Sequence, residues 1–427
     1  MQKDQFSPSD ASSAPSSSFD IVIIGGGLAG SLAALALSAR GFSCAVVDAG
    51  DPAAMRKMAF DGRTSAISYA CARVFKRLGL WDQIAPDAEP IRDILVTDGR
   101  PKSRFDEGAV SSFHLHFDSR ELDGDTPMGW IIENLTMREA MFDAIAKDDN
   151  IELLAPAKRA TTDYKPGAAV TTLEDGRVLT SSLVIAADGR FSSLRTEANI
   201  KTNQWRYRQA GIVATVAHER PHNGVAQEFF LPSGPFAILP MTNNRSSLVW
   251  TEREDTAPAY MALSDKDFRI EIENRFGSYL GAITPAGPRW SYPLAFTLAQ
   301  SYIAPRLALI GDAAHAIHPI AGQGYNLGVK DIAALADVLT DAREVGLDIG
   351  SLTVLQNYQR WRRFDSAALA LGGDIINRLF SNDIAPLRIA RDVGLGVVNA
   401  IAPLRKILMR QAGADLGTLP SLMAREG

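Results

Sequence analysis

The hydrophobic positions near the start of the chain fall into short unbroken runs. Asp20–Ile24 (DIVII) and Cys44–Asp48 (CAVVD) are β-branched and apolar at successive positions, which predicts buried strands. Leu28–Arg40 between them is rich in Ala and Leu and predicts a helix, so these residues make a βαβ unit with short connections. The same texture returns at Leu183–Ala187 and Leu307–Ile310. Helices are predicted over Arg63–Leu80, over Thr136–Lys147 with Asn134 as the cap, from about 326 to 341, and through most of the remaining chain. From about 205 to 300 the pattern changes to alternation. Gly211–Ala217, Ala226–Leu231 and Ser246–Thr251 predict an antiparallel sheet. Val170–Leu173 and Arg177–Thr180 flank Glu174-Asp175-Gly176, a hairpin signal. Segment 91–127 mixes short strands with polar turns, and no repeat of solenoid period is present.

Two stretches need separate treatment. Residues 1–18 are rich in Ser, Pro and Ala and predict a flexible tail. They lack the apolar centre of a secretory signal. They also lack Arg and carry Asp4 and Asp10, unlike a transit peptide. Residues 21–39 carry no charge and would pass a crude test for a membrane span. The three consecutive glycines, Gly25 to Gly27, favour a buried strand–turn–helix instead.

Composition adds limits. A chain of 427 residues, 46% hydrophobic and 22% charged, predicts two packed domains with a large core. A net charge of −5 gives no basic footprint for nucleic acid. The two cysteines, Cys44 and Cys71, form neither a disulfide framework nor a metal-binding spacing, and suit a reducing compartment.

Three motifs carry candidate chemistry. Gly25-Gly26-Gly27-Leu28-Ala29-Gly30 fits G-x-G-x-x-G in the required context, after a strand and opening a helix. Gly25 permits the turn, Gly27 bares the backbone to a pyrophosphate, and Gly30 lets helix and strand pack closely. Asp48 ends the second strand, 18 residues after Gly30, where a carboxylate can accept from ribose hydroxyls. A plain Gly-rich turn is the competing reading, but strand, turn, helix and acid agree on a nucleotide. The second motif, Asp188-Gly189 followed by Arg190 to Arg195, ends a buried strand and could equally be an ordinary turn. The third runs from Gly311-Asp312 through His315, His318, Pro319, Gly322, Gly324, Asn326 and Leu327 to Gly328. A strand delivers Asp312 to the sheet end, where it can hold a ribityl hydroxyl. Bare backbone at Gly322, Gly324 and Gly328 admits a flat ring, and the amides that open the next helix can stabilise negative charge on it. Asp312, His315 and His318 also have metal-like spacing, but Pro319 and the glycines break any long helix there, so no metal site is expected.

In this order the motifs resemble the class A flavoprotein aromatic hydroxylases, such as para-hydroxybenzoate hydroxylase. The resemblance is closest to the ubiquinone-biosynthesis hydroxylase (2-polyprenylphenol hydroxylase) subfamily. It is carried by His318 to Gly328 with Asp331, by Asp61-Gly62-Arg63-Thr64, by Leu78-Gly79-Leu80-Trp81, and by Ile132-Glu133-Asn134 with Arg138. Ala226-Gln227-Glu228-Phe229, Gly234-Pro235 and Tyr292-Pro293-Leu294 extend it over about 19–370.

The resemblance implies an α/β fold: a Rossmann-type FAD domain (19–90, 128–200 and 301–345) interrupted by a mixed and antiparallel substrate sheet (91–127 and 201–300), with a helical C-terminal region, 346–427. It implies that Gly25, Gly27, Leu28, Ala29, Gly30 and Asp48 hold the ADP half of FAD, with Arg63 and Arg138 near the pyrophosphate or adenosine. Asp188 and Gly189 would line the FAD and nicotinamide approach. Asp312 would bind the ribityl chain, and Gly322, Gly324, Asn326 and Leu327 would offer backbone to the isoalloxazine. Asp312, Pro319 and Gly324 fall in the catalytic part of the site.

The implied reaction is hydroxylation of a polyprenylated phenol through a flavin C4a-hydroperoxide, with NAD(P)H as transient donor and O₂ as oxidant. No second G-x-G-x-x-G is present for a resident nicotinamide. A soluble aromatic substrate and a non-catalytic prenyl-lipid carrier are the rivals. Segment 384–413 is apolar with five basic residues and one acid. It reads as a core-packing helix pair with solvated arginines, or as a basic amphipathic surface on an anionic membrane. The expected setting is cytoplasmic, peripheral to the inner membrane, with a ubiquinone-synthesis complex as partner.

Overall fold

A computed structural model describes residues 16–57, 60–100, 109–122, 126–318, 322–381 and 385–425. In chain order the strands used below are β1 Ser16–Ile24, β2 Cys44–Val47, β3 Thr64–Ser68, β4 Asp93–Arg100, β5 Ala109–Asp118, β6 Gly129–Glu133 and β7 Ile151–Leu154. They continue as β8 Val178–Ala186, β9 Thr202–His218, β10 Val225–Leu231, β11 Gly234–Met241, β12 Arg245–Arg253, β13 Trp290–Ala299 and β14 Leu307–Leu309. The helices are α1 Leu28–Ser38, α2 Tyr69–Arg77, α3 Asn134–Ile145, α4 Gly324–Glu344, α5 Leu352–Phe380, α6 Ala385–Ala400 and α7 Ala402–Ala412.

Parallel pairing joins β14, β8, β1, β2 and β7 in that order. Their apolar runs are buried on both faces, as parallel strands under helices require. α1 packs on α3 and α4 over this sheet. The expected hairpin is present, with 169–173 antiparallel to β8. A second sheet runs β13, β9, β12, β11, β10, β4 and β5, antiparallel except for the parallel pair β10–β4. Its side chains alternate between two environments. Ile212, Phe236, Ile238, Leu248 and Trp250 pack under the helix 265–276, with Phe268 and Ile272. The opposite face looks into a large cavity.

Local structure departs from the sequence expectation in three places. Thr64–Ser68, expected to begin a helix, is strand β3, paired with β6, and α2 starts only at Tyr69. Asn134 does not cap α3; its carboxamide oxygen accepts from the Ser65 hydroxyl at 2.7 Å, and Glu133 is the cap position. Ser16–Ser18, read as tail, extend β1 alongside Val178–Thr180.

Candidate active site

Backbone crowding sets the turn after β1. A Cβ on Gly25 would lie 2.3 Å from the Ala187 carbonyl oxygen, and one on Gly30 would lie 1.8 Å from that of Gly25. No larger residue fits either place. Gly27 is different: nothing lies within 4 Å of its would-be Cβ, so the first turn of α1 faces open space. Gly27, Leu28 and Ala29 line the cavity there, where helix amides favour a phosphate. Asp48 does more than end its strand. Its carboxylate accepts from the backbone N–H of Gly26 at 2.5 Å and of Gly50 at 2.7 Å, which clamps the loop. Each oxygen keeps further acceptor capacity for a ligand.

Arg63 and Arg138 line the same end of the cavity. Arg63 is ion-paired to Asp61 at 2.5 Å. Burial opposes ionisation of Asp61, but the Arg63 bonds outweigh it and hold the carboxyl below its ordinary range. The buried Nε of Arg138 has no hydrogen-bond partner among the described residues. Neither does Oδ1 of Asp188, whose Oδ2 accepts from the Ser193 N–H at 2.9 Å. Gly189 lines the cavity with a φ of +80°, which suits glycine.

Arg195 joins the second motif to the third. It is 8% exposed and donates to the carbonyls of Ala313 at 2.8 Å and Arg190 at 2.7 Å. The turn it supports carries Asp312 into the cavity. Burial raises the Asp312 carboxyl, and the nearby charges of His315 and Arg190 counter that rise. Beneath the turn lies a buried network. Asp331 accepts from the Gly311 N–H at 3.1 Å, contacts His315 Nε2 at 2.6 Å, and accepts from Arg362 at 2.9 Å. Arg362 and Lys330 both bind Asp365. His315 therefore bonds to this carboxylate and acts on Asp312 only through its charge. His318 is buried edge-on to Tyr207, 5.1 Å between ring centroids, and burial lowers its pKa to about 4.

Pro319 lies outside the described residues. Gly322 has a φ of +62° and lines the cavity, and Gly324 opens α4 with nothing near its would-be Cβ. The Asn326 side chain grips β3: it accepts from the Ser68 N–H at 3.0 Å and donates to the Ala66 carbonyl at 2.8 Å. Leu327 stands apart from its predicted role. Its N–H is bonded to the Gln323 carbonyl at 3.1 Å, and its side chain is fully buried. A helix leaves only its first N–H groups open, so the free end here belongs to Gly324–Asn326. Tyr325 also reaches across, donating to the Leu28 carbonyl at 3.3 Å.

The cavity holds about 1460 Å³, beyond the few hundred to about 1,000 Å³ of a single-ligand pocket. One end is the cradle just described. The other is walled by apolar residues of the second sheet, among them Val96, Leu115, Ala237 and Val249, and by Phe364, Ile376, Leu395 and Leu408 of α5–α7. The bare backbone at Gly27 and Gly324, the unpartnered Arg138 nitrogen and the in-facing Asp312 fit an extended dinucleotide with a flat ring. Several participants escaped sequence reading. Arg195 and Asn326 act on partners more than 100 residues away, Arg362 reaches back from one helix to Asp331 on another, and the Asp48 clamp on Gly26 and Gly50 is a contact that the motif does not spell out. Glu228 left a signal: it occupies an inward position in an alternating strand.

Comparison with known proteins agrees with this geometry. A ubiquinone hydroxylase of Rhodospirillum rubrum is 44% identical, with 94% of this chain and 90% of that protein covered. The 3-demethoxyubiquinol 3-hydroxylase of Escherichia coli is 34% identical over 92% of this chain and 98% of its own. The crystal structure of p-nitrophenol 4-monooxygenase from Pseudomonas putida superposes with a TM-score of 0.75 at 19% identity, covering 93% and 98%, and so shares the fold. Residues 18–363 match the FAD binding domain family, and this chain belongs to that family of FAD-dependent hydroxylases.

Proposed function

We propose that this protein hydroxylates the aromatic ring of a polyprenylated phenol in ubiquinone biosynthesis, using FAD, NAD(P)H and O₂. The observation that carries the reading is one continuous cavity that runs from a dinucleotide cradle to an apolar chamber. The chamber suits a ring with a long hydrocarbon chain better than a small polar aromatic. The ubiquinone hydroxylases among its relatives support the pathway.

Bound FAD supplies electron transfer from NAD(P)H and activation of O₂. The chain's own residues do the rest. The amides opening α1 receive the pyrophosphate, and Asp48 and the cationic Arg63 and Arg138 hold the adenosine half. Asp312 takes a ribityl hydroxyl. The N–H groups at Gly324–Asn326 open a helix where a bound flat ring would meet them, and a helix N-terminus there would favour negative charge on it. Gly189 lines the nicotinamide approach, behind which Asp188 caps the 193–197 turn, and Gly322 lies on the side of the ring. The apolar wall excludes water and orients the substrate.

The same helices suit a membrane surface. Val393, Val397, Ile401 and Ile407 on α6, α7 and the link between them are exposed, near the exposed Lys406. No helix among the described residues is long and apolar enough to cross a membrane. We place the protein at the face of the inner membrane, beside other enzymes of the pathway.

Quinone profiling of a deletion strain by mass spectrometry tests the reading. The expected result is loss of ubiquinone and accumulation of a prenylated phenol lacking one hydroxyl. An unchanged ubiquinone pool, with no rescue of a hydroxylase-deficient host, would favour a soluble aromatic substrate.

A further inference from the structure

The cavity wall carries a carboxylate in an apolar field, and none of the cofactor contacts above uses it. Side chains alternate along β10, so Ala226, Glu228 and Phe230 face the cavity together. Through the sheet register Glu228 shares a transverse row with Val96 and Leu115 on one side. On the other side stand Ala237, Val249 and Val213. Among the described residues nothing bonds or ion-pairs with this carboxylate. The side chain is half-buried and faces the cavity, and a carboxylate set in an apolar wall without a partner is costly, so a purely structural role would have supplied one.

Neighbouring charges are committed elsewhere. Asp98, in register with Phe230 on β4, is ion-paired to Arg391 of α6 at 2.8 Å. β11 contributes only apolar residues to the wall. Lys330, Arg362 and Asp365 of α4 and α5 bind one another. At the cradle end Arg63, Arg138, Arg190, Asp312, His318 and Tyr292 line the cavity, and none of them offsets the burial of Glu228. Burial alone raises its carboxyl to about 7.

The geometry points to Glu228 as the group that receives the ring hydroxyl of the substrate, accepting its hydrogen bond and then its proton, while the wall around it takes the hydrocarbon chain. This assignment rests on the hydroxylase reading above. As the phenolic O–H bond breaks, the proton moves to a Glu228 oxygen, and the electron pair left behind is delocalised into the ring. A ring carbon ortho or para to that oxygen then forms the new C–O bond. The oxygen atom comes from O₂ with two electrons from NAD(P)H, and the second oxygen leaves as water. Loss of the proton from the attacked carbon restores aromaticity. Glu228 returns its proton to the ring oxygen and ends the cycle as a carboxylate.

The test uses the flavin-loaded protein, a geranyl-substituted phenol and the O-methyl ether of that phenol. Wild type should bind the phenol about tenfold more tightly than the ether, since the ether cannot donate to an acceptor in an apolar site. Glu228→Leu should bind both alike, with unchanged FAD content. Glu228→Gln keeps an acceptor but takes no proton. It should retain the preference and lose about 100-fold in turnover, within the range for removing a general base. Wild-type kcat/KM should fall as pH drops through about 7, and that acid limb should be absent in Glu228→Gln. A wild type that does not distinguish phenol from ether, or a Glu228→Leu protein that still does, overturns the role of Glu228. A wild type that binds neither compound overturns the prenyl-phenol reading and this assignment with it.

Discussion

Asp312 combines two properties that rarely meet in a structural carboxylate: it faces the cavity, and its environment raises its pKa through burial. Its position depends on Arg195 holding the Ala313 carbonyl and on Asp331 holding the Gly311 N–H. A carboxylate so placed is available to a ligand. Removing a charge-assisted hydrogen bond costs about 1.5–3 kcal/mol. Asp312→Ala should therefore weaken FAD affinity by roughly 10- to 150-fold and leave the circular dichroism spectrum unchanged. Flavin fluorescence titration reads the effect, and wild-type occupancy would remove Asp312 from the cofactor site. Residues of this kind were legible in the sequence when a local rule governed them. Gly30 is fixed by a steric limit within one strand–turn–helix, Gly25 by the left-handed turn that glycine permits as well as by the distant Ala187 carbonyl, and Asp48 by the end of a strand. Arg195 and Asn326 were legible only as members of motifs. Their hydrogen-bonding roles arise between segments more than 100 residues apart.

The elements show the same division. Continuous apolar runs announced β1, β2, β8 and β14, because a parallel strand buried on both faces has no other composition. β3 was missed because TSAIS is short and runs into the apolar residues of α2. Its identity comes from pairing with β6, which no local pattern carries. α4 holds the densest constraint. Its Asp331 sits under the Gly311 turn with His315 and Arg362 as partners, and all three side chains are almost fully buried. Burial favours the neutral acid, but the two neighbours outweigh it and hold the Asp331 pKa below its unfolded value. A lowered carboxylate pKa stabilises the fold above the unfolded value, and that contribution is lost as pH falls through the folded one. Arg362→Met leaves Asp331 with His315 and the Gly311 N–H but without its guanidinium, and breaking a buried pair in this way costs about 3–5 kcal/mol. The variant should unfold at lower urea concentration at pH 7. It should also lose its remaining stability at a higher pH than wild type when acidified. Identical acid transitions in the two proteins would show that Arg362 does not hold Asp331 ionised.

For the molecule as a whole, the arrangement of sheets and helices bears on how the proposed substrate, a ring with a hydrocarbon chain, would reach the cradle. The cavity is lined by Phe364, Ile376 and Leu408, and these residues are also 82%, 43% and 37% exposed, so the apolar chamber opens at the surface formed by α5 and α7. Beside that opening Val393, Val397 and Ile407 are exposed by 48%, 50% and 53%. The core-packing reading of segment 384–413 does not account for so much uncovered apolar surface. A bilayer does, because insertion of the outer faces of α6 and α7 would bring the opening to the acyl region. A prenyl chain could then pass from lipid to cavity without crossing water. Burying one aliphatic side chain is worth about 1.5–3 kcal/mol when complete. Val397→Glu with Ile407→Glu should therefore reduce co-sedimentation with anionic phosphatidylglycerol vesicles more than tenfold. Both positions are outside the cavity lining, so FAD content and turnover of a short-chain phenol in detergent should stay at wild-type levels. Wild type that stays in the supernatant would exclude delivery from the membrane through this surface. Equal sedimentation of variant and wild type would move the contact away from α6 and α7.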